Sequence, residues 1–187
     1  MTDARAWVVV ATECPDQWHA NEADLLHSRA APHLHQMRVG IRRLRSSASL
    51  FRPLLRDVPG AVATAHRLRA LALPFGAARD LDVLLGGPLA EALPRRARDE
   101  LWSAREAAHD EVARVLTSDG WREVGAAVDD VVGRVAALPD TGRDDVTDLA
   151  RAALDKRWRR VVGERYRLRS MTPLERHAVR TQAKTRR

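Results

Sequence analysis

Apolar residues recur at three- and four-residue spacing along nearly the whole chain, and no alternating run of β-branched residues marks a strand. Only helices that bury one stripe each satisfy such a pattern, so the fold class is all-α. Breakers then divide the chain into about seven helices. The first extends from near Asp3 to Arg29, with an interruption expected at Cys14-Pro15. The second starts at Pro32, a residue suited to a first helical turn, and runs to about Arg56, with Pro53 kinking or ending it. A third, from about Pro59 to Leu73, should stop at Pro74-Phe75-Gly76, leaving a short helix from Arg79 to Leu85. Longer helices are expected over 89–116, 119–138 and about 145–169. Thr172-Pro173-Leu174-Glu175 is a capping-box pattern with proline at the first helical position, and it opens a last helix still running at Arg187.

The 187 residues are enough for one domain with its own core, expected over 1–187. A single cysteine, Cys14, excludes an internal disulfide framework and a multi-cysteine zinc site. No apolar run reaches the roughly 18 residues that would span a bilayer, and no signal segment is evident, so a cytoplasmic location without membrane contact is expected.

Charge is more informative. Lys and Arg number 32 against 25 acids, and only Lys156 and Lys184 are lysines. Arginine offers a planar fork that matches phosphate oxygens in pairs, although a GC-rich genome would also enrich it. Position has to decide. In His35-Gln-Met-Arg-Val-Gly-Ile-Arg-Arg-Leu-Arg45, the side chains of His35, Arg38, Arg42 and Arg45 fall within roughly 80° of one another on a helix and cover about 15 Å of its axis. Met37, Ile41, Leu44, Ala48, Phe51 and Leu55 form the adjoining apolar stripe. No acid occurs between His35 and Arg56. Stacked like charges weaken a helix by tenths of a kcal/mol per pair, so either carboxylates from other helices or an anionic ligand must offset them. The last helix repeats the spacing in His177, Arg180, Lys184 and Arg187. Lys156, Arg157 and Arg160 belong to a further dense basic run and are candidate contacts to the same anion, with Leu154, Trp158 and Val161 as the candidate anchors.

The segment His35–Arg45, followed by Phe51-Arg-Pro-Leu-Leu55 and Gly76-Ala-Ala-Arg-Asp-Leu-Asp-Val-Leu-Leu85, resembles the CHAD family, whose name stands for conserved histidine α-helical domain. The resemblance covers most of the chain and is densest in its first 85 residues. It implies two pseudo-symmetric helical bundles around a basic cavity, the first present here with the start of the second, and non-catalytic binding of inorganic polyphosphate. By that resemblance the basic stripes map onto His35, Arg38, Arg42, Arg43 and Arg45, and onto His177, Arg180, Lys184 and Arg187. It also implies on the order of a hundred further residues after the second histidine helix, so the domain is read as incomplete at its C-terminus. Exposed apolar faces on the last helices would then favour a homo-oligomer. Polyphosphate granules are the implied cellular association.

Arg79, Asp80 and Asp82 are read as orienting residues, since acids beside a basic site can hold arginines through paired hydrogen bonds. No carboxylate cluster suggests a metal, cofactor or catalytic centre, and the acidic-strand motif of the triphosphatases sometimes joined to this family is absent. Nucleic acid is the alternative partner on charge alone, but neither an aromatic stacking platform nor a recognition-helix motif accompanies it. His19, His27, His66 and His109 are scattered and carry no pattern.

Overall fold

The computed structural model describes residues 1–139, 145–164 and 170–184. These residues form ten helices and no sheet: α1 Asp3–Ser28, α2 Ala31–Leu50, α3 Arg52–Leu55, α4 Ala61–Leu71, α5 Leu73–Leu85, α6 Pro88–Ala92, α7 Arg95–Leu116, α8 Asp119–Ala136, α9 Val146–Glu164 and α10 Pro173–Lys184. No helix among them is long and apolar enough to cross a membrane. The chain divides into two compact units, Met1–Arg143 and Asp144–Arg187.

In the first unit α1 packs along α2 and α8, α2 also touches α4 and α5, and α5 lies on α7. Each helix follows its apolar stripe. On α8 the buried residues are Trp121, Val124, Val128, Val131 and Val135, at helical spacing, and Ser118 caps the helix by accepting the Trp121 N–H at 3.2 Å. On α2 Leu34, Met37, Ile41 and Leu44 are buried. Gly40 lets α1 approach closely, because a Cβ there would sit 3.0 Å from the Cys14 carbonyl oxygen. Where α1, α5 and α8 meet, the rings of Trp18 and Phe75 lie 5.7 and 5.6 Å from that of Trp121.

Proline accounts for the differences from the expected boundaries. Pro15 lies inside an unbroken α1 and is buried, so the packing of Trp7, Ala11, Cys14 and Trp18 on both sides outweighs one lost backbone hydrogen bond. Pro74 does not end a helix. It occupies the first turn of α5, where a missing N–H costs little, and the helix runs through Gly76 because Phe75 is a core residue. Pro53 ends α2 as expected by starting the short α3, and Pro94 separates α6 from α7 within what the spacing had joined.

The second unit holds α9 and α10, which pack on each other. The α10 capping box is present: Thr172 N–H donates to Glu175 Oε2 at 2.7 Å and Glu175 N–H to Thr172 Oγ1 at 3.3 Å. Asp145 accepts the Thr147 N–H at 2.7 Å at the start of α9. Leu154 and Trp158 do not anchor α9; they are 58% and 62% exposed, and Leu174 of α10 is 80% exposed.

Candidate functional site

The burial of Met37, Ile41 and Leu44 determines where the cations of α2 go. With that stripe against the core, His35, Arg42 and Arg45 are exposed and Arg38 is half-buried. Arg38 reaches across to α5, where its Nη1 donates to the Phe75 carbonyl at 3.0 Å. Gly76 gives the guanidinium room, since a Cβ there would lie 3.2 Å from that nitrogen and displace it by a few tenths of an ångström. Burial lowers the Arg38 pKa from the usual arginine value; Asp80 opposes the effect, and Arg42 and Arg79 add to it. Asp80 is thus within electrostatic reach of Arg38 without forming an ion pair, and α5 contributes Arg79 to the same cationic surface.

Arg45 lies at the other end of the stripe. It borders a small, mostly apolar cavity of about 30 Å³ together with Leu44, Ala48, and Ala61, Thr64, Ala65 and Leu68 of α4. Burial, and then Arg69 of α4, lower its pKa. Among the described residues no carboxylate lies within ion-pairing distance of His35, Arg38, Arg42, Arg45, Arg69 or Arg79. Apart from Asp80, which acts on Arg38 from a distance, the cations of this cluster have no acidic partner among the described residues.

Arg43 is not part of it. About 100° round the helix from Arg42, it turns to α1 and pairs with Glu13 at 3.0 Å. Asp82 orients an arginine that does not belong to the stripe. The Asp82 side chain is completely buried, and Oδ1 accepts from Arg105 Nε at 2.7 Å and from His109 Nε2 at 3.1 Å, both on α7. Arg105 donates further to the Arg29 carbonyl at 2.9 Å. Arg29, in the left-handed conformation that closes α1, pairs with Glu106 at 3.0 Å and Asp110 at 2.7 Å. One acid of the Arg79-Asp80-Leu81-Asp82 segment thus faces the cations, and the other clamps α5 to α7.

In the second unit His177 and Arg180 are exposed on α10. Lys156 is exposed on α9, in a groove it shares with Asp148, Arg151, Asp155 and Arg159, so acids are interleaved with its cations. The backbones of Arg157, Arg160 and Lys184 lie on α9 and α10, but their side chains, and the whole of Arg187, fall outside the described residues.

Sequence reasoning missed Arg69, Arg105 and His109. Arg69 carried one usable signal, since His66 and Arg69 repeat the spacing of His35 and Arg38. Arg105 and His109 are four apart and so share a face of α7, but nothing local points to their partner on α5.

The family model described as the CHAD domain matches residues 9–187. The crystal structure of the CHAD domain from the plant Ricinus communis superposes with a TM-score of 0.80 at 22% identity, over 99% of this chain and 63% of that one. This chain thus spans less than two thirds of that structure's length, and at this identity the likeness establishes the fold. No curated protein sequence matches the chain. An all-helical fold that superposes on a CHAD structure, and a family model that matches almost from end to end, place this chain in the CHAD domain family.

Proposed function

We propose that the protein binds inorganic polyphosphate without transforming it, using His35, Arg38, Arg42, Arg45 and Arg79 of the first unit. The observation that carries this reading is the cluster of cations from α2 and α5 with no carboxylate in ion-pairing distance among the described residues. Like charges held together repel, and partial burial of Arg38 raises the cost of leaving it uncompensated. A linear anion of regular charge offsets both, through charge-assisted hydrogen bonds and release of counterions. The pinning of Arg38 by the Phe75 carbonyl supports the reading further, because a pre-placed guanidinium loses less side-chain entropy on binding.

On this reading His177, Arg180, Lys184 and Arg187, with Lys156, Arg157 and Arg160, form the second unit's contribution. Binding is favoured over catalysis because Asp82, one of the two acids beside Arg79, is committed to Arg105 and His109. Cytoplasmic polyphosphate stores are the corresponding location. The exposed Leu154, Trp158 and Leu174 support self-association through α9 and α10, which light scattering would detect.

The test is titration with long-chain polyphosphate over a range of salt. Affinity should fall steeply as salt rises, and the Arg38→Gln/Arg42→Gln double variant should lose about 10- to 100-fold, at roughly 1.4 kcal/mol per tenfold. Full affinity in that variant would overturn the site. Displacement by duplex DNA at equal phosphate concentration and fixed salt would favour a nucleic-acid module instead.

A further inference from the structure

The cations of α2 share one helix face, but their neighbours come from two other helices. At the Arg38 end, α5 supplies Arg79 and the Phe75 carbonyl. At the Arg45 end, about 10.5 Å further along the α2 axis, the neighbouring helix is α4. Arg45 borders the same small cavity as Ala65 and Leu68, and Arg69 is the residue after Leu68 and one turn beyond Ala65, on the exposed flank of α4. Arg42 stands between the two ends.

We propose that Arg45 and Arg69 form a second anion-holding pair, so that the site of the first unit crosses from α5 over α2 to α4 and takes a linear polyanion long enough to span both ends. The proposal rests on the polyphosphate reading above and goes further by naming a residue and a ligand geometry.

Most other arginines of α1 to α8 outside the cluster are neutralised, although Arg52 and Arg98 also lack a carboxylate among the described residues. Arg29, Arg43, Arg67, Arg114, Arg122 and Arg134 each hold a carboxylate. Arg67, two residues before Arg69 on the same helix, reaches Glu123 of α8 at 2.5 Å. Arg69 has no such partner among the described residues and instead sits within electrostatic reach of another arginine. Its place in the last turn of α4 favours a cation through the helix dipole, which offsets part of that repulsion but leaves the guanidinium free to bind. Two anion-holding ends joined by Arg42 act as linked sites. A short anion occupies one of them, whereas a long one gains the second at the high effective concentration of an intramolecular contact.

The experiment compares tripolyphosphate with long-chain polyphosphate on the intact chain, its Arg69→Gln variant, and Arg67→Gln as a control from the same helix. Arg69 is exposed, and thermal melts of all three proteins check that the fold is kept. The wild-type chain should prefer the long polymer by more than about tenfold. Arg69→Gln should lose about five- to tenfold on the long polymer, leave tripolyphosphate within about twofold, and reduce the salt slope by about one ion, whereas Arg67→Gln should match the wild type. Unchanged long-chain affinity in Arg69→Gln would overturn the proposal, and so would an equal loss on both anions. Failure of the wild-type chain to bind either anion would instead remove the polyphosphate reading, and this proposal with it.

Discussion

Replacing Asp82 by alanine removes the one acceptor that two buried α7 donors share. Asp82 is fully buried, with the side chains of Arg105 and His109 only 13% and 1% exposed. Breaking a buried charged pair by deleting one partner costs about 3–5 kcal/mol. Arg105 would keep the Arg29 carbonyl at 2.9 Å and Glu106 at 2.7 Å, so the lower end, about 3 kcal/mol, applies. In a domain of this size that corresponds to a fall of roughly 6–12 °C in Tm. Asp82→Asn should cost less, about 1–2 kcal/mol, because its Oδ1 still accepts from both donors while its amide replaces an Oδ2 that has no hydrogen-bond partner. Asp80→Ala, two residues away but exposed, should stay within about 0.5 kcal/mol of wild type. Urea unfolding followed by circular dichroism measures all three. The reasoning fails if Asp82→Ala unfolds within about 1 kcal/mol of wild type, or if the asparagine variant is as unstable as the alanine one.

Further expectations concern single contacts. Gly40→Ala places a Cβ 3.0 Å from the Cys14 carbonyl oxygen and should destabilise the α1–α2 packing by about 1–3 kcal/mol in a thermal melt, despite alanine's better helix propensity. Gly76→Ala should leave stability unchanged or raised but weaken polyphosphate binding a few-fold in a titration, because the new Cβ crowds the Arg38 guanidinium. Arg43→Gln should bind polyphosphate within about twofold of wild type, since Glu13 already occupies Arg43, whereas Arg42→Gln should bind measurably less. Burial pushes the Cys14 thiol pKa up, so the folded state retains that proton more firmly than the unfolded chain. Stability from this group is therefore present below the ordinary thiol range and is lost as pH rises through the raised value. Cys14→Ala should flatten that alkaline decline, and a thiol reagent at neutral pH should label Cys14 only on unfolding.

Much of this molecule follows from local rules that act within a few residues. Helical periodicity specified the all-α class, the capping box marked the start of α10, and the acid-free stripe of α2 named most of the first unit's cation cluster. The same rules misjudged Pro15 and Pro74, because the backbone cost of proline is local but the burial that offsets it comes from other helices. Tertiary packing alone decided which arginines are neutralised. Arg42 and Arg43 are neighbours in the chain, as Arg67 and Arg69 nearly are, yet one of each pair meets a carboxylate and the other does not. It likewise gave Asp82 its partners on α7 rather than on the stripe. Helix periodicity fixes the direction of a side chain from its own axis, but an ion pair also needs the position of a second axis, and that is set only when the apolar faces close on one another.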